Sequence, residues 1–170
     1  MQQWKLNPDV SLPLILNGAW YNIKSVLFEE LIFRGVLLFI LIKRVGATKA
    51  MIISSVAFGM YHWLSFGVMG DPIQMTFVFL VTGIMGLLYA YGYAKTFSLY
   101  IPIGIHLGWN IVQSVVFSDT NIGNHLLVQI NKTITGSSGL LLFLVSILPM
   151  VSIWFIGFAL LKKKKQVISS

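Results

Sequence analysis

The chain has 170 residues, 56% of them hydrophobic and only 10% charged, with a mean hydropathy of +0.83. A soluble globular domain carries about 25% charged residues, so this composition excludes an ordinary soluble domain and points to one integral membrane domain, residues 1–170. The absence of cysteine excludes disulfides, thiolate catalysis and cysteine zinc sites.

The first 20 residues, "MQQWKLNPDVSLPLILNGAW", hold an apolar patch interrupted by Pro13 and Gly18, without an A-x-A-like cleavage site. They read as a short N-terminal interfacial helix or a lead-in to the first span. A spanning helix takes about 20 mostly apolar residues. Five stretches meet that requirement, from about Trp20 to Ile42, Thr48 to Phe66, Pro72 to Ala94, Ser98 to Phe117 and Gly139 to Leu161. The third opens on proline, which suits a first helical turn. Residues 118–138 read as a polar external loop and residues 162–170 as a basic tail. The predicted fold is therefore all-α, a polytopic membrane helix bundle of about five spans.

Threading the chain back and forth puts Lys43, Arg44, Lys49, Lys95 and Lys162 to Lys165 on one side, eight of the twelve basic residues. Basic residues collect on the cytoplasmic side, so the C-terminus is expected to be cytoplasmic and the N-terminus external. The net charge of +7 then reflects topology and anionic lipid headgroups, with no nucleic-acid partner.

Ionisable groups cost about 2.5–3.5 kcal/mol each near the middle of a spanning helix, and they tend to face a bundle interior. Setting aside Lys49 at the basic-side edge of the second, those inside the expected spans are Lys24, Glu29, Glu30, Arg34, His62 and His106. Lys24 lies near a helix end and can snorkel. Glu30 and Arg34 are i and i+4, so they can pair along one face. Glu29 points about 100° away from Glu30, so that pairing does not take it up and it can face another helix. Phe58 and His62 are again i and i+4, as are His106 and Asn110. At 1.5 Å per residue, Glu29, His62 and His106 all lie about 12–21 Å from the basic side.

A carboxylate, two imidazoles and an amide at one depth can activate water and stabilise an oxyanion. The same carboxylate and imidazoles, Glu29, His62 and His106, could instead ligate a divalent metal such as zinc. Either arrangement implies attack of water on a carbonyl, which in a membrane points to a membrane-associated peptide or protein substrate. A buried histidine can also be a packing residue, and a Glu–Arg pair a structural clip. That all three helices carry such groups at matched depth argues against a purely structural reading. His125 reads as a solvated loop residue, and the sequon at Asn131 is short and frequent by chance.

Three motifs occur in order: "EELIFR" (Glu29 to Arg34), "FGMYH" (Phe58 to His62) and "HLGWN" (His106 to Asn110). Written EExxxR, FxxxH and HxxxN, they resemble the signature of the CPBP family of intramembrane proteases over about residues 25–117. That family includes type II CAAX prenyl endopeptidases and bacterial Abi proteins tied to bacteriocin immunity. The resemblance implies that Glu29 is the general base and that Glu30 and Arg34 support it. It further implies that His62 holds the attacking water and that His106 and Asn110 stabilise the oxyanion. The family has been described both as metalloproteases and as metal-independent glutamate proteases. No HExxH occurs here, which favours the version without a metal cofactor.

Family members often have six to eight spans, so five here are expected to mean a minimal core, a homo-oligomer whose second copy supplies further helices, or a piece of a longer protein. The small size, the lysine-rich tail and the lack of an organelle retention signal lead to an expectation of a bacterial cell-membrane protein that does not act on prenylated substrates. The rival from another class is an immunity or peptide-binding membrane protein that keeps the fold without cutting. A rhomboid-type protease is rejected because no histidine follows "GSSG" (Gly136 to Gly139). A presenilin-type protease is rejected because Asp71 and Asp119 both fall in expected loops. A transporter is disfavoured because no inverted repeat is evident.

Overall fold

The computed structural model of the chain describes residues 4–116 and 126–129, with the single positions Val151, Trp154, Phe155 and Ala159. The expected fifth span, most of the expected external loop and the basic tail lie outside the described residues. The chain divides into two compact units, Met1–Phe28 with Ile103–Ser137 and Glu29–Pro102 with Ser138–Ser170.

In the first unit, β1 (Trp4–Leu6) pairs antiparallel with β2 (Leu127–Gln129), Trp4 opposite Gln129 and Leu6 opposite Leu127. The Asn7 N–H donates to the Leu126 carbonyl at 3.0 Å, and the Leu126 N–H to the Val115 carbonyl at 2.8 Å. This corrects two expectations. The N-terminal segment opens with a strand, Trp4–Leu6, where an interfacial helix or a lead-in was expected, although from Leu12 it does lead into the first helix, and the strand's partner lies within the stretch read as loop. Local pattern gave no sign of it, because a strand of three residues is defined only by a partner far along the chain. Next, α1 (Leu12–Arg34) begins where the Ser11 carbonyl accepts from the Ile15 N–H at 3.1 Å. Pro13 falls in its first turn, where the missing N–H is not needed. Towards the other end of the chain, α5 (Tyr100–Ile111) runs into a π-helical turn, Val112–Val116.

The second unit holds the end of α1, then α2 (Val36–Val45), α3 (Ala47–Ser65) and α4 (Pro72–Thr96). The expected first span, Trp20 to Ile42, is thus corrected to two helices broken at Gly35. A Cβ at Gly35 would run into the Leu31 carbonyl oxygen, so only glycine fits the break. A broken helix leaves carbonyls without intrahelical partners, and in an apolar environment they must be satisfied elsewhere. The buried Ser54 hydroxyl does so, donating to the Phe33 carbonyl at 3.1 Å. At the start of α4, Asp71 caps the helix by accepting from the Ile73 and Gln74 N–H groups at 3.1 and 3.0 Å, with Pro72 following.

α4 packs chiefly on α3, and α2 also packs on α3. A small core of Leu38, Ala50, Ala90 and Tyr93 joins the three helices. Beside this apolar core, the burial pattern departs from that of a soluble protein. Glu29, Glu30, Arg34, Ser54, His62 and His106 are buried, while Trp20, Phe28, Leu31, Ile53, Leu80 and Ile84 are exposed. Polar groups inside and large apolar groups outside are what a hydrocarbon solvent selects. Among the described residues, α4 is the one helix both long and apolar enough to cross a membrane. α1 matches it in length but carries Lys24, Glu29, Glu30 and Arg34.

Candidate functional site

The last two turns of α1 place Glu29 and Glu30 side by side in sequence but on different faces. Glu30 turns toward Arg34, whose Nη1 donates to Oε1 at 3.0 Å, with both side chains wholly buried. Burying a guanidinium demands compensation on every side, and α3 and α4 supply it. Arg34 Nη2 donates to the Gly86 carbonyl at 3.0 Å. The Phe58 ring lies 4.1 Å from Arg34 Cζ and the Tyr89 ring 5.2 Å, within the range of cation–π attraction. Phe33 and Tyr89 each meet Phe58 edge to face, at 5.2 and 6.1 Å between centroids.

Gly86 makes this box possible. A Cβ there would stand 2.9 Å from Phe58 Cδ1 and 3.1 Å from Arg34 Nη2, so any larger residue would displace the Phe58 ring or the guanidinium, or part α4 from them. Neither Gly86 nor Tyr89 was picked out in the sequence, since glycine and tyrosine in an apolar helix give no signal of their own.

On the other face, Glu29 Oε2 stands 3.8 Å from His62 Nε2. Both side chains are buried. His62 Nδ1 donates to the Phe58 carbonyl, one turn earlier on α3, at 2.8 Å. A carbonyl can only accept, so Nδ1 carries the proton, and in the neutral ring Nε2 is left as an acceptor aimed at Glu29. Phe58 thus serves both halves of the arrangement, its carbonyl orienting His62 and its ring covering Arg34. The Phe58 and His62 rings are in contact at 4.4 Å.

His106 and Asn110 belong to the other unit, one turn apart on α5, with His106 buried. The Ser114 hydroxyl donates to the Asn110 carbonyl at 2.6 Å, and the buried Asn22 amide on α1 donates to Ser114 Oγ at 2.8 Å. Asn22 also went unnoticed in the sequence. It could have been found as an amide inside an apolar helix, by the argument that singled out the ionisable groups.

Among the described residues, no group of three His, Cys, Asp or Glu side chains is placed to hold a metal ion. Glu29 and His62 together offer two donors, where a catalytic zinc takes three protein ligands. Of the other features weighed in the sequence, Asp71 is the helix cap, while Asp119, His125, Asn131 and Gly136–Gly139 lie outside the described residues.

The sequence model of a family described as type II CAAX prenyl endopeptidase Rce1-like matches residues 11–112, more than half of the chain. The match starts at Ser11, one residue before α1 and well before the Ser25 expected as its limit, so the whole of that helix lies in the matched region. No curated protein and no solved structure matches the chain.

Proposed function

Because the chain belongs to the Rce1-like type II CAAX prenyl endopeptidase family, a family of membrane-embedded proteases, we propose that it is an intramembrane endopeptidase whose general base is Glu29. The observation that carries this reading is the 3.8 Å approach of Glu29 Oε2 to His62 Nε2, a carboxylate oxygen and a ring nitrogen side by side in a buried setting. One water can donate to both at about 2.8 Å each, subtending about 85° at its oxygen. That leaves the oxygen's lone pairs directed at a substrate carbonyl.

As the water oxygen bonds to the carbonyl carbon, Glu29 takes the water's proton. The tetrahedral oxyanion then collapses, the C–N bond breaks, and Glu29 returns the proton to the leaving amine. His62 orients the water through Nε2. His106 and Asn110, which match the HxxxN motif, supply donors for the oxyanion. Glu30 and Arg34 hold the end of α1 in register beneath Glu29. In this reading the chemistry is of the glutamate type, and the substrate is a membrane-associated peptide or protein. The chain is a multi-span bundle in a bacterial cell membrane with its C-terminus in the cytoplasm.

The test is cleavage in detergent of two probes, a fluorogenic farnesylated peptide and an unprenylated membrane-peptide library. Wild type is compared with Glu29→Gln, each with and without chelator. Cleavage abolished by Glu29→Gln and unaffected by chelator supports the mechanism, and the preferred probe gives the substrate class. Loss with chelator assigns Glu29 and His62 to a metal. A wild type that cuts neither probe overturns the protease reading in favour of binding or immunity.

A further inference from the structure

Asn22, Ser114 and Asn110 form a relay inside one unit. Asn22 Nδ2 donates to the Gly18 carbonyl and to Ser114 Oγ, both at 2.8 Å. The Ser114 hydroxyl has one proton, and it goes to the Asn110 carbonyl at 2.6 Å. The relay meets α5 where the helix changes character, since Val112–Val116 is a π-helical turn directly after Ile111. In such a turn the backbone donors shift from the fourth to the fifth carbonyl back, so carbonyls near the junction change partners. A serine bonding back to the carbonyl four residues earlier bends the helix at that point. Here the direction of its hydroxyl is fixed from outside, because a donated hydrogen from Asn22 occupies a Ser114 lone pair and leaves the proton for Asn110.

We infer that Asn22 and Ser114 are positioning residues that set the backbone at Asn110 and thereby aim its amide. This rests on the proposed role of Asn110 as an oxyanion donor. Asn22→Asp makes the donor an acceptor and draws the Ser114 hydroxyl off the Asn110 carbonyl. Ser114→Ala removes the link, and Ser114→Thr keeps the hydroxyl.

The experiment measures kcat and KM of the full chain in detergent on the fluorogenic farnesylated peptide, or on the library peptide that wild type cuts best. Thermal unfolding of each variant serves as the folding control. Asn22→Asp and Ser114→Ala should each lower kcat about 10- to 100-fold at unchanged KM, the usual scale for a misplaced catalytic group. Ser114→Thr should stay near wild type, and the double variant Asn22→Asp/Ser114→Ala should be no worse than the poorer single. Equal losses in Ser114→Ala and Ser114→Thr, multiplicative losses in the double variant, or a change in KM alone would overturn the inference. Asn110→Ala separates the two layers. If it lowers kcat while the relay variants do not, the relay idea falls and the reading of Asn110 stands. If Asn110→Ala changes nothing, both fall, as they do if wild type cuts no peptide.

Discussion

Glu29 Oε2 and His62 Nε2 face each other at 3.8 Å, and the histidine's other nitrogen is already engaged by the Phe58 carbonyl at 2.8 Å. The ring cannot rotate away without breaking a buried hydrogen bond, so the orientation of Nε2 is fixed before any substrate arrives. In the proposed mechanism that fixed acceptor holds the attacking water. His62→Ala is therefore expected to lower kcat by about 10²–10⁴-fold, the usual contribution of a positioned acid–base group. Initial rates across substrate concentrations check this, and a loss confined to KM would remove His62 from the chemical step.

The Arg34 box predicts a loss of stability from each of two substitutions, one that removes the charge and one that keeps it. Removing one partner of a buried pair leaves the other uncompensated, at about 3–5 kcal/mol, so Arg34→Ala should unfold well below wild type in a thermal scan in detergent. Arg34→Lys keeps the charge but has no planar fork to reach both Glu30 Oε1 and the Gly86 carbonyl, nor a face to lie on Phe58. It too should be clearly destabilised. A lysine variant with wild-type stability would show that charge alone accounts for the box.

Gly86 and Gly83 lie one turn apart on α4 and offer an internal comparison. A Cβ at Gly86 would press on Phe58 and Arg34, whereas at Gly83 it would meet only the Ser55 carbonyl at 3.7 Å, an ordinary contact. Gly86→Ala should cost about 1–3 kcal/mol through overpacking. Gly83→Ala should be neutral or slightly stabilising, since alanine is the better helix former. Midpoints of unfolding for the two variants, measured side by side, decide it.

Ser54 answers for the break in the first predicted span. Ser54→Ala leaves the Phe33 carbonyl without its hydroxyl donor in a buried position, at about 1–3 kcal/mol. Hydrogen exchange should rise locally around residues 33–39 before the rest of the second unit responds. Uniform exchange across α1 to α4 would show that the break does not depend on this bond.

The sequence made the charged residues legible because hydrocarbon penalises them so heavily that their presence has few explanations. The i, i+4 spacing predicted the Glu30–Arg34 pairing, and the face argument directed Glu29 toward another helix, where it meets His62. What escaped was anything whose meaning depends on a distant neighbour. Gly86 is one glycine among 15 until Arg34 is placed beside it. Trp4–Leu6 becomes a strand only through Leu127–Gln129. Gly35 lies inside a stretch that reads as one continuous span, because hydropathy measures how greasy a segment is and not whether its carbonyls find partners. The Ser54 hydroxyl that makes the break affordable sits on a different helix.

Lipid tails are as apolar as leucine, so helices in a bilayer gain little from burying greasy surface against one another. A fold of this kind is held by close packing together with its interior polar contacts, and here prominent among the latter are the Arg34 box and the histidine tether that share Phe58. Many soluble enzymes become sturdier when their active-site polar groups are replaced, because those groups are a burden on the scaffold. In this protein the relation runs the other way. A lineage losing the reaction would have little room to discard these residues, so an inactive descendant would be expected to keep Phe58, Gly86 and Arg34 long after Glu29 had changed.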